Sequence, residues 1–124
     1  MRNLADIFKA LSDETRLMML ALLMRRGERC VCDFVQVIGI GQSKASRHLR
    51  YLLHSGLVRD RREGVWVYYQ IREDAPQEAA AVLDAVRPVL EGLDLSDLER
   101  RLDDWMALKT ESRDCQIAAT RMET

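Results

Sequence analysis

The residues of this sequence best suited to chemistry are its three cysteines. Cys30 and Cys32 are separated by a single residue, whereas Cys115 lies close to the C-terminus. Deprotonated thiols bind soft metal ions in preference to hard ones. We predict that residues 30–32 are extended, because side chains at positions i and i+2 of an extended segment point to the same side. Both sulfur atoms of the pair would then reach one ion.

The same cysteines are also compatible with redox chemistry, with a thiol enzyme or with simple burial. Free cysteine is among the residues most often buried, so burial is the default for a single cysteine. A small and odd number of cysteines does not suit a disulfide framework. The sequence contains neither a Cys-x-x-Cys redox motif nor a Gly-x-Gly-x-x-Gly cofactor loop, which disfavours an enzyme. We therefore place metal binding by the closely spaced pair first.

The charge of the chain is divided along its length, although the net charge is only −1. Residues 42–62 carry six basic side chains and one acidic side chain, whereas residues 73–104 carry ten acidic and three basic ones. A polyanion is attracted to the first segment and repelled by the second. This division favours nucleic acid as a partner, bound in one orientation.

The length of 124 residues fits a single domain. We predict that residues 1–110 form a domain for DNA binding and dimerisation, followed by a polar, flexible C-terminal tail over residues 111–124. No apolar run approaches the roughly 20 residues that span a membrane, and the N-terminus lacks the apolar stretch of a signal peptide. We therefore expect a cytoplasmic protein.

Hydrophobic periodicity and turn residues predict a mainly α fold with one β-hairpin. Strands at residues 57–62 and 65–71 flank a two-residue turn at Glu63-Gly64. The predicted helices cover residues 4–12, 14–26, 33–38, 42–55, 77–93 and 96–110, with a turn at 39–41. In the helix over residues 42–55, one stripe is apolar and the opposite face is polar and basic. The residues of the apolar stripe are Ala45, Leu49, Leu52 and Leu53.

A short helix, a glycine-containing turn, a helix with a basic outer face and a basic hairpin follow one another in the order of a winged helix-turn-helix. A helix fits the major groove of DNA, and arginines on the adjoining hairpin, or wing, reach phosphates or the minor groove. Because one such unit carries one recognition helix, we expect a homodimer on double-stranded DNA, joined through the first helix and the C-terminal helices. The predicted DNA-binding residues are Gln42, Ser43, Lys44, Ser46, Arg47, Arg50, Arg59, Arg61 and Arg62.

Over roughly residues 4–72, the sequence resembles the ArsR/SmtB family of metal-responsive transcriptional repressors. The segments that carry the resemblance are Leu11-Ser12-Asp13-Glu14-Thr15-Arg16-Leu17, Glu28-Arg29-Cys30-Val31-Cys32-Asp33, Gln42-Ser43-Lys44-Ala45-Ser46-Arg47-His48-Leu49-Arg50-Tyr51-Leu52 and Arg61-Arg62-Glu63-Gly64-Val65-Trp66-Val67-Tyr68-Tyr69. The Cys-Val-Cys-Asp sequence at 30–33 resembles the arsenic-responsive branch, whose members are dimers that release operator DNA on binding arsenite or antimonite.

The resemblance implies a repressor of a metalloid-resistance operon, with As(III) or Sb(III) as effector, Cys30 and Cys32 as ligands and no organic cofactor. A cadmium-, lead- or redox-responsive repressor that uses the same cysteines is the alternative. The best-known members of the arsenic branch carry a third cysteine three residues after the pair, and this position is Val35 here. Arsenite favours three thiolates, so either the pair suffices or Cys115 supplies the third.

Zinc-responsive relatives place His, Asp and Glu ligands on the C-terminal helix, whereas the two histidines of this chain are His48 and His54. We therefore expect no C-terminal zinc site. For release from DNA, we predict that closing Cys30 and Cys32 on one ion shifts the start of the following helix. Through residues 39–41, this shift would change the angle of the recognition helix. DNA affinity falls only if the ion prefers the non-binding shape.

Overall fold

The computed structural model describes residues 1–112 of the chain and the side chains of residues 1–109. Within this range, the elements follow the order α1 (Arg2–Leu11), α2 (Glu14–Arg26), β1 (Arg29–Cys30), α3 (Val31–Phe34), α4 (Gln42–His54), β2 (Val58–Glu63), β3 (Trp66–Ile71), α5 (Gln77–Glu91) and α6 (Ser96–Ser112). A π-helical turn, Val35–Gly39, extends α3. The structure confirms the predicted mainly helical fold with a β-hairpin wing.

The bounds of α2 are set by the residues at its two ends. The side chain of Asp13 accepts a hydrogen bond from the Arg16 amide at 3.1 Å, which satisfies a donor left open by the first turn. Gly27 ends the helix with a φ of 75°, a value that glycine adopts without steric strain. The predicted range 14–26 is confirmed.

The sheet contains three strands in the order β1-β3-β2, and both neighbouring pairs are antiparallel. In the short strand β1, Arg29 pairs with Tyr69 and Cys30 pairs with Tyr68. This third strand was not predicted, because a two-residue strand carries no alternating pattern of its own. The strand holds the cysteine segment against the wing, which is formed by β2, β3 and their turn.

The turn of the wing lies one residue later than predicted. Glu63 pairs with Trp66, so the turn residues are Gly64 and Val65 rather than Glu63 and Gly64. Gly64 has a φ of 62°, which a residue without a Cβ atom adopts readily. The turn therefore starts at the glycine, and Glu63 becomes the last residue of β2.

The core of the domain lies beneath the recognition helix α4. Ala45, Leu49 and Leu52 are fully buried, which confirms the predicted apolar stripe of this helix. Burial of this stripe against α2 and α3 turns the basic side of α4 outward. Trp105 of α6 is also fully buried, so the C-terminal helix belongs to the same core.

Arg25, at the end of α2, connects this helix to the end of α5. Its Nη2 atom donates hydrogen bonds to the carbonyl oxygens of Leu90, Glu91 and Leu93, at distances from 2.5 to 3.1 Å. These contacts satisfy carbonyl groups that a helix end leaves open. Within residues 1–112, no helix is both long and apolar enough to cross a membrane.

Candidate nucleic-acid interface and cysteine site

The two closely spaced cysteines lie at the junction between β1 and α3. Their Sγ atoms are 2.8 Å apart. Cys30 is only 2% exposed, whereas Cys32 is half-buried. The Sγ atom of Cys30 accepts a hydrogen bond from the Cys32 amide at 3.3 Å. The two sulfur atoms therefore converge on one side of the junction.

The extended conformation predicted for residues 30–32 is wrong. β1 ends at Cys30, and Val31 and Cys32 form the first turn of α3, which begins before the predicted position. The cause is a capping box. Cys30 occupies the N-cap position, and the carboxylate of Asp33 accepts a hydrogen bond from the Cys30 amide at 2.9 Å. The sulfur atoms converge because the N-cap side chain folds back over the first helical turn, and not because of strand alternation.

Asp33 is a site residue that the sequence analysis missed. Its Oδ1 atom accepts hydrogen bonds from Trp105 Nε1 at 2.7 Å and from Lys109 Nζ at 2.8 Å. The spacing from Cys30 to Asp33 is that of a capping box and could have been recognised. No local pattern connects Asp33 with Trp105 or Lys109, which lie 72 and 76 residues further along the chain.

The protonation of Cys30 depends on its burial and its neighbours. Burial raises the pKa of the Cys30 thiol, because a low-dielectric environment disfavours the thiolate. The hydrogen bond from the Cys32 amide and the charge of Lys109 act in the opposite direction. A soft ion that binds the thiolate must displace the proton. An ion at the Cys30 sulfur would therefore compete with a proton.

The two sulfur atoms lie closer together than two thiolate ligands of one ion. Thiolates bind Zn²⁺ at about 2.3 Å in a tetrahedral arrangement, which places two sulfur ligands roughly 3.8 Å apart. The two Sγ atoms are 2.8 Å apart, so they must separate by roughly 1 Å to hold such an ion. In the described part of the chain, no group of three or more Cys, His, Asp or Glu side chains could hold a metal ion. Cys115, the predicted third ligand, lies outside the described residues.

The recognition helix α4 presents its predicted DNA-contacting side chains on one side. Among residues 1–109, no side-chain hydrogen bond or ion pair engages Arg47 or Arg50, so both charges are available to a polyanion. Ser46 is half-buried at the edge of this surface. The exposed members of the predicted set on α4 are Gln42, Ser43, Lys44, Arg47 and Arg50.

The inner side of α4 is attached to α2 through His48. Its Nδ1 atom lies 3.1 Å from Arg16 Nη1 and 4.0 Å from Asp13 Oδ1. Arg16 also lies over the ring of Tyr51 at 4.2 Å. Burial, followed by the nearby charge of Arg16, lowers the pKa of His48, although Asp13 acts in the opposite direction. His48 is thus a packing residue that helps fix the recognition helix.

The three predicted arginines of the wing are all exposed on β2, but their surroundings differ. Arg61 donates to Glu28 through Nη2 at 2.7 Å and through Nε at 3.2 Å, and it also donates to Glu63 at 2.7 Å. Its guanidinium lies 4.6 Å from the centre of the Tyr68 ring. Arg59 pairs with Gln70 in the ladder, on the same side of β2 as Arg61. Glu28 was not predicted to be a partner of the wing.

A groove of about 430 Å³ between α4 and the wing connects the two predicted sites. Cys30 and Cys32 line this groove together with side chains of the recognition helix and the wing. The polar and charged residues of these two elements that line the groove are Gln42, Ser46, Arg50, His54, Asp60 and Arg62. The structure therefore brings the cysteine pair and part of the predicted DNA-binding set to one surface.

The recognition helix α4 has a basic exposed side, packs on α2 and α3, and stands next to a basic wing. This arrangement defines a winged helix-turn-helix of the DNA-binding class. Residues 13–60 match the family model described as "bacterial regulatory protein, arsR family". Over 79 residues, the chain is 46% identical to the arsenical resistance operon repressor of Escherichia coli strain K12, a match that covers 64% of this chain and 68% of that protein. The chain belongs to the ArsR family of bacterial regulatory proteins.

Two further comparisons agree with this family. The chain is 44% identical over 80 residues to the arsenic resistance transcriptional regulator ArsR1 of Pseudomonas putida, covering 64% of this chain and 62% of that protein. It thus spans slightly less than two thirds of this relative's length. The family and these relatives are transcriptional regulators and not enzymes.

The second comparison concerns the fold. The chain is similar to the NMR structure of the homodimeric winged helix-turn-helix DNA-binding domain of a possible ArsR-family regulator from Mycobacterium bovis. The identity is 36% and the TM-score is 0.59, and the match covers 71% of this chain and 78% of that one. The similarity confirms the predicted winged helix-turn-helix.

Proposed function

We propose that this protein is a DNA-binding repressor of a metalloid-resistance operon, and that it leaves operator DNA when Cys30 and Cys32 bind arsenite or antimonite. The observation that carries the proposal is the groove between α4 and the wing. The two sulfur atoms lie 2.8 Å apart and line the same groove as Gln42 and Arg50. A change at the cysteine pair therefore acts directly on the surface that faces DNA. The names of the Pseudomonas putida and Escherichia coli relatives support an arsenical as the effector.

DNA binding in this proposal uses α4 and the wing together. The exposed side of α4 lies in the major groove, where Arg47 and Arg50 reach base edges, and the arginines of β2 reach phosphates. The acidic segment over residues 73–104 includes α5 and the first half of α6. It must face away from DNA, because its charge would oppose binding.

The active form is a homodimer, which places two recognition helices on successive half-sites. Apolar side chains that a monomer would leave in water support this assembly. Phe8 of α1 is 57% exposed, Val89 of α5 is 65% exposed and Leu93 is 43% exposed. These residues belong to the first helix and the C-terminal part of the domain, where dimerisation was predicted.

Release requires that the ion-binding and DNA-binding shapes of the cysteine segment differ. Cys30 belongs to the sheet of the wing, and Cys32 belongs to the first turn of α3, which packs against α4. When the two sulfur atoms separate to hold one ion, they displace both elements. Coupling between two sites is typically about 1–3 kcal/mol, or roughly 5- to 150-fold in affinity. We expect a loss of operator affinity of this size on ion binding.

Cys115 is included in the proposal as the third ligand. The pair supplies two sulfur atoms, and trivalent arsenic favours a third. The ammonium group of Lys109 lies 2.8 Å from Asp33, so this turn of α6 is beside the cysteine pair. Only six residues of sequence lead from Lys109 to Cys115. A third thiolate from this chain is therefore within reach of the proposed site.

Operator binding in the presence and absence of arsenite tests the proposal. We expect arsenite to release the parent protein, whereas Cys30→Ser and Cys32→Ser should bind operator like the parent and resist release. Cys115→Ser, which removes the proposed third ligand, should also bind operator like the parent but should need a higher arsenite concentration for release. Release of either pair variant by the same arsenite concentration as the parent would contradict the proposal. Release by cadmium, lead or oxidation, but not by arsenite, would favour the alternative repressor.

X-ray absorption at arsenic decides the role of Cys115 separately. We expect three sulfur neighbours in the parent protein and two in Cys115→Ser. An unchanged spectrum would remove Cys115 from the site and leave the pair as the sole source of thiolates.

A further inference from the structure

Asp33 is the only buried polar or charged side chain among the described residues, with 3% exposure. Its two oxygen atoms bind different parts of the molecule. Oδ2 accepts the amide of Cys30 at 2.9 Å, and Oδ1 accepts Trp105 Nε1 and Lys109 Nζ of α6. A buried carboxylate is costly unless it is paired and hydrogen-bonded, and all three partners satisfy this requirement.

We propose that Asp33 is a positioning residue of the effector site and that, through Trp105 and Lys109, it makes α6 a part of that site. This inference rests on the proposed function of Cys30 and Cys32. It assigns to the C-terminal helix a role in effector binding, in addition to packing.

Two further contacts place α6 along the cysteine segment. Arg101 Nη1 donates to the carbonyl oxygen of Val37 at 3.4 Å, in the π-helical turn that follows α3. Arg29 Nη1, in β1, lies 3.3 Å from the Sδ atom of Met106. Contacts from Arg101, Met106 and the Asp33 network therefore cover successive turns of one helix. The cysteine segment cannot move away from its position without changing these contacts.

The contacts of this network hold the cysteine segment in place. Asp33 binds the Cys30 amide, and α6 binds Asp33. Lys109 supplies a positive charge at 2.8 Å from Asp33, and its side chain is only 19% exposed. Without this ammonium group, the buried carboxylate is left unpaired. We therefore expect weaker ion binding when either side chain is replaced, because the contact that positions the Cys30 amide is then lost or weakened.

Trp105 provides a spectroscopic readout of this link. Its indole N–H donates to the same carboxylate that holds the Cys30 amide. The chain has one other tryptophan, Trp66. In a Trp66→Phe background, emission therefore comes from Trp105 alone. Ion binding at the cysteines should change this emission, since coupling between two sites acts in both directions.

The experiment is a titration of the full-length Trp66→Phe protein with sodium arsenite, followed by Trp105 emission and, separately, by equilibrium dialysis. Asp33→Asn and Lys109→Met should each raise the arsenite concentration at half-saturation by about 10- to 100-fold, the usual effect of losing a group that orients a metal ligand. Operator affinity without arsenite should stay within about twofold of the background protein. Lys109→Arg, which keeps the charge, should restore most of the arsenite affinity. Asp104→Asn, which removes an exposed carboxylate of α6, is the matched control.

The double variant Asp33→Asn with Lys109→Met tests whether the two residues act through the same contact. If they do, the double variant should bind arsenite no more weakly than Asp33→Asn alone. Should Asp33→Asn fail to fold, the Lys109 variants carry the test, because Lys109 is partly exposed. Unchanged arsenite affinity in these variants, with Trp105 emission insensitive to arsenite, would overturn the inference and leave the proposed function intact. Absence of arsenite binding by the background protein would overturn both.

Discussion

Cys30 pairs with Tyr68 across the antiparallel ladder of β1 and β3. The first cysteine of the pair and the wing therefore belong to one sheet. The ring of Tyr68 lies under the guanidinium of Arg61, which also binds Glu28 just before β1. In addition to the predicted route through residues 39–41 to the recognition helix, the cysteine segment thus has a direct connection to the wing.

The first prediction concerns the exposed arginines of α4. Arg47→Ala and Arg50→Ala should each weaken operator binding by about 1–3 kcal/mol if the side chain reads a guanine, with loss of sequence preference at that position. Fluorescence anisotropy with operator and scrambled DNA measures both effects. Arg100→Ala, which removes a cation from α6, should bind operator like the parent. Parental binding by both α4 variants would show that this side of the helix does not contact DNA.

The second prediction separates the arginines of the wing. Arg62→Ala should weaken binding to all DNA sequences alike and reduce the salt dependence by about one unit of slope. Arg61→Ala should have a smaller effect, because Glu28 and Glu63 already neutralise its charge. Glu28→Gln should strengthen DNA binding, since it releases Arg61. Binding constants measured from about 50 to 300 mM salt, over which the Debye length falls by more than half, decide this. Equal losses for Arg61→Ala and Arg62→Ala would be incompatible with it.

The third prediction concerns the pH dependence of stability. The pKa of His48 is lower in the folded protein than its ordinary value of 6.5. Below about pH 6.5 the unfolded chain therefore takes up a proton that folded His48 does not, and the free energy of unfolding falls as the pH decreases towards 5. The pKa values of Asp13 and Glu28 are lowered from their ordinary values of 3.8 and 4.5. These two carboxylates therefore change the free energy of unfolding only at more acidic pH.

Urea unfolding between pH 5 and 8 measures this effect. His48→Asn should remove part of the pH dependence, because it keeps an acceptor for Arg16 but does not titrate. His54→Asn, at the exposed end of α4, is the matched control. A parent protein that becomes more stable on acidification from pH 7 to 5 would contradict the role of His48.

The fourth prediction concerns the dimer. Phe8→Glu should shift the protein towards monomer and reduce affinity for a full operator more than for a half-site, because it places a charge on the exposed apolar surface of α1. Sedimentation at micromolar concentration measures the oligomeric state. Val65→Glu, at the tip of the wing, alters an equally apolar exposed residue outside this surface and should leave the dimer intact. A folded parent monomer that still binds a full operator tightly would refute the assembly.

Local sequence determined most of the secondary structure. The bounds of α2 follow from Asp13 and Gly27, and the buried stripe of α4 follows from helical spacing, because these signals lie within one or two turns of chain. The hairpin and the order of elements were also predictable, and with them the winged helix-turn-helix. The conformation of the cysteine pair was not predicted correctly, although the capping-box spacing from Cys30 to Asp33 was visible in the sequence.

Only the tertiary structure decided which distant residues meet. The pairing of Cys30 with Tyr68, the ion pair of Glu28 with Arg61, and the contacts of Asp33 with Trp105 and Lys109 join residues far apart in the chain. Periodicity describes which side of an element is buried, but not which element covers it. The partner of a buried carboxylate depends on how α6 packs against the β1–α3 junction, and this packing results from the folding of the whole domain.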